Sequence, residues 1–322
     1  MRGRRKANFA ATAVAGILAA VGASACGSQG AVAAAHRGSA LRDSAAAGGT
    51  TTTAAKPPPP PPPPLEVTPV ASPGSSWRVV ARVKGSPAAW EAQRAGVTLL
   101  RFDQRMVRLD LHAGEGEPAG TWRYGAQIGP SEIHHVVAAF NGGFKFTTGA
   151  VGWMAEGRTA EPLRAGRGSI VTYRDGTTAV GAWDRGVPTS GRPVRSVLQN
   201  LSLLVDGGRP AANAEGCIQS CWGETVGGVD VVARSGLGVR ADGQLVWAAG
   251  EHLTPLALAD GLLSAGVQRA VQLDINPDWV AAYLYKHGSA GPEWSQVVPG
   301  QLGIAGKFLQ PYHRDFFAVV AR

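Results

Sequence analysis

Eight consecutive prolines, Pro57 to Pro64, constrain this chain more than any other feature. Proline lacks a backbone N–H and holds φ near one value, so the run enters neither a helix nor the middle of a sheet. It favours a stiff, extended polyproline II rod that adds about 25 Å of reach. The run predicts a spacer that separates an N-terminal leader from a folded body; a tail with no set role is the plainer alternative.

The chain opens MRGRRKANFAATAVAGILAAVGASAC. Arg2, Arg4, Arg5 and Lys6 give a basic start, residues 10–25 are uncharged, and small residues close the stretch. That is the layout of a secretory signal peptide, and the apolar run is short for a membrane span. Residues 1–26 are therefore expected to be a signal peptide or membrane anchor. Cys26 follows Ser24 and Ala25, as at a bacterial lipoprotein processing site, although Ala23 stands where leucine is usual. A lipid anchor at Cys26, ordinary cleavage and an uncleaved helix all remain open, and each brings the chain to the cell membrane or past it.

Residues 27–74 are dominated by Ala, Gly, Ser, Thr and Pro. Such a segment buries too little apolar surface to offset chain ordering, which predicts a disordered spacer. The net charge of +8 divides unevenly: residues 1–66 hold seven Lys/Arg and two Asp/Glu (+5), the remainder 24 and 21 (+3). A modestly charged body without a basic, aromatic-interleaved stripe argues against a nucleic-acid partner.

Residues 75–322 form the expected folded domain, long enough for a substantial core. Strands are predicted at 77–85, at 106–112 with Val107, Leu109 and Leu111 on one face, and at 136–140. Hairpins are predicted over 169–183 and 236–250, turning at Asp175-Gly176 and Asp242-Gly243. Thr254 caps a helix that Pro255 begins and Gly266 ends, with Leu256, Ala259, Leu262 and Leu263 as its apolar face. Residues 270–276 return as a strand, and DFFAVVAR (315–322) ties a last strand into a sheet. The fold class expected is α+β, with a mixed, largely antiparallel sheet and packed helices.

Cys217 and Cys221 are the body's two cysteines, and outside the cytoplasm a local disulfide is the expected pairing. The intervening Ile-Gln-Ser offers no further ligand, so no structural metal is predicted. No cofactor is implied.

Three segments carry candidate chemistry. In AAFNGGFKF (138–146) a buried-type strand runs into Asn141, Gly142 and Gly143. The glycines permit unusual backbone angles and close approach, Asn141 can orient a sugar hydroxyl, and Phe144 can wall a sugar ring; a plain hairpin turn is the alternative. In RSGLGVRADGQLVW (234–247) Arg234 can pair with a phosphate diester or form a surface ion pair. In QLDINPDW (272–279) Asp274 follows a strand and can act as general acid, general base or hydroxyl acceptor, with Asn276 beside it at the strand's end.

The order NGGF, RSGLG, the DG hairpin, LTPLALADGLLSAG and QLD resembles the phosphodiester glycosidase family over roughly residues 130–322. By match, the resemblance implicates Asn141, Gly142, Gly143, Arg234 and Asp274. It implies an extracytoplasmic hydrolase that cleaves a sugar 1-phosphodiester in envelope or exopolysaccharide material, with a glycan or sugar-phosphate substrate. Where that family places glycines and a serine after the aspartate, this chain has Ile275, Asn276, Pro277 and Asp278. The departure keeps open a catalytically inactive carbohydrate-binding or envelope-scaffolding protein.

Glu156, near the glycine-rich segment, and Glu251-His252, before the helix, are candidate second acids or bases. His134 and His135 are adjacent and, on a strand, would point to opposite faces, so they are poor joint ligands. Trp153, Trp183, Trp247 and Trp279 are candidates for a glycan groove or for the core.

Overall fold

The computed structural model describes residues 77–149, 151–289, 291–302 and 306–322. The expected leader, the spacer and Cys26 lie outside the described residues. No described helix is long and apolar enough to cross a membrane.

Three sheets make the body. The largest has eight strands in the order Arg78–Val83, Ser86–Arg94, Val97–Phe102, Leu245–Leu253, Val232–Arg240, Val267–Gln272, Leu203–Asp206 and Arg209–Pro210. A five-stranded sheet runs Arg158–Glu161, Val151–Ala155, Val194–Asn200, Gly168–Tyr173 and Thr178–Ala182. The other five-stranded sheet runs Gly291–Gln296, Ala282–Gly288, Val136–Asn141, Phe316–Ala321 and Val107–His112. Hydrogen-bonded neighbours are antiparallel, and a parallel contact occurs as an isolated bridge between Trp183 and Val187. One continuous apolar core joins all three sheets through Trp153, Leu198, Trp247, Val271 and Phe317. The expected α+β class with largely antiparallel pairing is the observed one, carried by three sheets among the described residues.

Local chemistry explains the elements. Asp175 accepts from the Thr177 N–H (2.8 Å) and Gly176 sits at φ 81°, which fixes the first hairpin turn. Asp242 and Gly243 repeat the device, with the Gln244 N–H donating to Asp242 at 3.1 Å and Gly243 at φ 80°. The helix Pro255–Ser264 starts where Thr254 Oγ1 accepts the Ala257 N–H (3.1 Å). Its buried face centres on Leu258, Ala259 and Leu262, whereas Leu256 and Leu263 of the expected face are only half-buried. The face is turned because Gly261 sits directly over Val97; a Cβ there would fall 2.8 Å from the valine methyls.

This helix is a crossover. The strands flanking it both pair antiparallel to Val232–Arg240, which lies between them, so they run parallel to each other. The strand expected over 270–276 is observed at Val267–Gln272, so Asp274 stands two residues past its end. The strand Phe316–Ala321 inserts between Val136–Asn141 and the edge strand Val107–His112. Phe316 pairs with Asn141, and that register sets Asp315 beside Gly142.

Candidate active site

Asp274 opens onto a cleft of about 590 Å³ that Phe144, Lys145, Gln219, Glu224, Trp279 and Arg314 help to line. The aspartate is 5% exposed. Its Oδ1 accepts the N–H groups of Ile275 (2.7 Å) and Asn276 (2.9 Å), and its Oδ2 faces the Arg314 guanidinium at 3.9 Å. Burial raises its pKa, against the opposing pull of the Asn276 N–H, Arg314, the Ile275 N–H and Lys145.

Arg314 is 3% exposed. It donates to the Gly143 carbonyl (2.9 Å) and stands 3.8 Å from Glu117, while its Nε is buried without a hydrogen-bond acceptor. Its guanidinium also lies 5.8 Å from the Trp279 ring centre. Next in the chain, Asp315 is 2% exposed, and neither carboxylate oxygen receives a well-formed hydrogen bond. Burial pushes its pKa up to about 7; Arg314 opposes the rise, Asp274 and Glu117 add to it, and the nearby Gly143 N–H gives weak relief. Asp274 and Glu117 thus share the Arg314 guanidinium, and Asp315 lies within its electrostatic reach.

The three sequence-marked segments do meet, through Ser235. Asn141, 2% exposed, donates to Ser235 Oγ (2.9 Å) and to the Gly142 carbonyl (3.0 Å), and accepts from the Ala281 N–H (3.3 Å). Ser235 donates to the Asp274 carbonyl from Oγ (3.2 Å) and from its backbone N–H (3.1 Å). Asn200 adds a second brace, donating to the carbonyls of Gln272 (2.6 Å) and Leu273 (3.0 Å) and accepting from the Phe144 N–H (3.3 Å). These buried bonds fix the Asp274 backbone, while the Asn141 side chain faces the sheet interior and not the cleft.

Arg234 lies behind the cleft. It is fully buried and donates to Leu253 O (2.9 Å), Gln272 Oε1 (3.0 Å), Asp230 O (3.1 Å) and Trp222 O (3.4 Å). Burial lowers its guanidinium to about 10. Its donors hold protein oxygens, which corrects the expectation that it meets a phosphate. Alternation along the strand turns Ser235 toward Asn141 and Arg234 to the other face.

Gly142 and Gly143 also depart from expectation. Neither has the left-handed backbone that glycine permits. Gly142 is required by close approach: a Cβ there would fall 2.4 Å from Asp315 Oδ1. At Gly143 the nearest atom to a Cβ would be Asn200 Oδ1 at 3.5 Å, an ordinary contact. Phe144 lines the cleft as expected.

The departing loop is built, not slack. Ile275 is buried in the core, and a Cβ on Gly223 (φ 104°) would fall 2.8 Å from both Ile275 and Phe144. Asn276 lines the cleft, and its Oδ1 accepts the Asp278 N–H at 2.9 Å. Cys217 and Cys221 form the disulfide, their Cα atoms 5.3 Å apart, around the short helix Ile218–Trp222. Trp222 anchors that helix, its carbonyl accepting from Arg234 and from Gln272 Nε2 (2.8 Å), and thereby fixes the Gln219 side of the cleft.

Glu156 lies away from the cleft, at φ 51° in the turn between Val151–Ala155 and Arg158–Glu161, and faces Arg174 at 3.9 Å. Glu251 and His252 end the strand Leu245–Leu253 and do not line the cleft. His134 and His135 are exposed and precede the strand that follows them. Trp153 and Trp247 are core residues, and of the four tryptophans Trp279 reaches the cleft. Among the described residues no group of three or more His, Cys, Asp or Glu side chains is arranged to hold a metal. A larger cleft, about 730 Å³, is lined by Arg105, Arg192 and Arg269. Those arginines already pair with Asp103, Asp175 and Asp206.

No family model and no curated protein matches the chain. Among solved structures, it is distantly similar in fold to the zebrafish N-acetylglucosamine-1-phosphodiester alpha-N-acetylglucosaminidase catalytic domain auto-inhibited by pro-peptide. That likeness has 16% identity, covers 77% of this chain and 88% of the other, and has a TM-score of 0.46. A hypothetical protein from Synechocystis has 12% identity over 74% of this chain and 63% of its own, with a TM-score of 0.41. A protein described as exported, from Burkholderia pseudomallei, has 13% identity over 73% and 75%, with a TM-score of 0.36.

Proposed function

We propose that this protein is an extracytoplasmic hydrolase that releases a sugar from a 1-phosphodiester. The observation that carries the reading is the withdrawn Asp274 facing Arg314 in the cleft, with Asp315 behind it. The ordered sequence segments that resemble phosphodiester glycosidases support the same chemistry, and the basic, apolar leader supports the location.

A sugar 1-phosphodiester places an anion next to the bond that breaks. Arg314 Nε, which lacks a protein acceptor, and Lys145, which lines the cleft, supply positive charge for that phosphate. Asp274 Oδ2 is the reacting carboxylate oxygen, because Oδ1 is held by two backbone N–H groups. It removes a proton from the attacking water as the sugar–oxygen bond lengthens. The phosphate departs as a stabilised anion and needs little protonation. Asp315 holds a proton near neutrality and so limits the negative charge beside Asp274.

The test is sugar release by the full chain from a panel of sugar 1-phosphodiesters. Asp274→Asn is expected to lower kcat by about 10²–10⁴-fold with the fold intact. Equal turnover by the variant would remove Asp274 from the chemistry. One observation favours a second reading, glycan binding without turnover: the loop after Asp274 is rigidly packed through Ile275. Binding of the same panel without release would select it.

A further inference from the structure

Phe144 and Lys145 line the Asp274 cleft, but the next residue, Phe146, lines a different groove of about 450 Å³. Trp122, Glu117, Arg158, Thr159 and Glu161 also border this groove. Consecutive residues thus line the two depressions, and Glu117 of the groove, which accepts the Phe146 N–H (3.0 Å), stands 3.8 Å from Arg314 of the cleft. We propose that this groove is a glycan subsite holding a neutral pyranose unit of a substrate longer than one sugar. The proposal rests on the hydrolase reading for its place in the substrate, though not for the binding itself.

The walls suit a sugar. Phe146 and Trp122 are half-buried; Phe146 and the part of Trp122 that Arg158 and Trp153 leave uncovered give apolar surface of the kind that contacts the C–H faces of a pyranose. Trp122 is rigid: its indole donates to Ala119 O (3.1 Å), meets the Trp153 ring at 69° and 4.6 Å, and carries the Arg158 guanidinium 3.9 Å above its centre. Arg158 is in turn held by Thr121 O (2.9 Å). A rigid aromatic wall orders little on binding, which favours affinity. Between the walls, Glu161 has no ion-pair partner among the described residues, and both oxygens of a carboxylate accept hydroxyl protons.

Charge decides which part of the substrate enters. Two carboxylates, Glu117 and Glu161, border the groove against the single guanidinium of Arg158. Glu117 also faces Arg314, so the groove offers a phosphate no surplus cation, whereas Lys145 and Arg314 border the neighbouring cleft. The groove therefore takes the hydroxyl-bearing, uncharged portion. A lipid chain is disfavoured by the same three charged side chains, which would lose water to bare hydrocarbon.

The experiment is titration calorimetry of the full chain with neutral tetrasaccharides of glucose, mannose and N-acetylglucosamine, which carry no phosphate. Wild type is expected to bind at least one of them. Trp122→Ala is expected to weaken binding about tenfold or more. Because Trp122 also touches Trp153, a second variant guards against misfolding: Thr159→Trp, at an exposed position on an edge strand, fills the groove and is expected to abolish binding with an unchanged melting temperature. Binding by Thr159→Trp equal to wild type, or no binding of any tetrasaccharide, overturns the subsite. Phosphodiester turnover without Thr159-sensitive glycan binding also overturns it while leaving the hydrolase reading standing. Thr159-sensitive binding without turnover supports it and sinks the hydrolase reading instead.

Discussion

A Cβ added to Gly142 would fall 2.4 Å from Oδ1 of Asp315. The glycine of the most distinctive sequence segment is thus the floor on which a buried acid rests, and the two are also joined by the Gly142 N–H donating to the Asp315 carbonyl (3.0 Å). Gly142→Ala is expected to lower stability by about 1–3 kcal/mol through overpacking. Gly143→Ala, with 3.5 Å of clearance, is expected to be far milder. Urea unfolding of the two variants checks this; equal midpoints would contradict the difference in clearance.

Asp315 makes stability depend on pH with a definite sign. Its folded pKa, about 7, lies above the ordinary carboxylate value of 3.8. Below pH 4 the group is protonated in both states and costs nothing. As pH rises from 4 to 7 the unfolded chain ionises first, so the folded state binds more protons and stability falls; above pH 7 the loss levels off. The full difference is on the order of 4 kcal/mol. Burial sets most of it; Arg314 and the Gly143 N–H oppose it, and Asp274 and Glu117 add to it. Asp315→Asn is expected to remove this part of the slope, and chemical unfolding of both proteins at pH 4.5 and 7.5 reads it directly. An unchanged slope in the variant would place the titration elsewhere.

Arg234→Lys is expected to destabilise the fold by about 2–4 kcal/mol, because one ammonium cannot span the oxygens of Leu253, Gln272 and Asp230. The kcat of the folded fraction is expected to hold. A large fall in kcat with normal stability would instead bring Arg234 into contact with substrate.

Removing the disulfide by Cys217→Ser with Cys221→Ser is expected to cost about 2 kcal/mol, since the loop it closes is short. The stronger effect is expected on KM, because the helix Ile218–Trp222 carries the Gln219 and Ser220 wall of the cleft. Steady-state kinetics of the double variant beside oxidised and reduced wild type separates the two; an unchanged KM would show that Trp222 alone holds the wall.

Much of the scaffold was legible because it depends on local chemistry. The Asp-Gly turns, the Thr254 cap, the all-buried strand before Asn141 and the Cys217–Cys221 pairing each follow from a few adjacent residues. Asp274 was legible as an acid toward the C-terminal end of a strand, although that strand stops at Gln272, before it. Arg314 and Asp315 were not, because DFFAVVAR reads as a strand, and only its pairing with Val136–Asn141 puts the preceding acid against Gly142. Nor does sequence say which face of a doubly covered strand meets the cleft, so Arg234 stood out where Ser235 makes the connection. Asn200 and Glu117 carry no local signature; they matter through partners 56 to 73 and 29 residues away.

The strand Phe316–Ala321 is an interior strand of its sheet, yet it follows its neighbours Val107–His112 and Val136–Asn141 late in the chain. At ribosomal speed those neighbours wait on the order of ten seconds for it. Until it arrives, two strands lack their shared partner, and Asp274 lacks both the cation and the acid that face it. The sheet and the candidate site are therefore completed by the same late segment, so a chain that lacks it has neither.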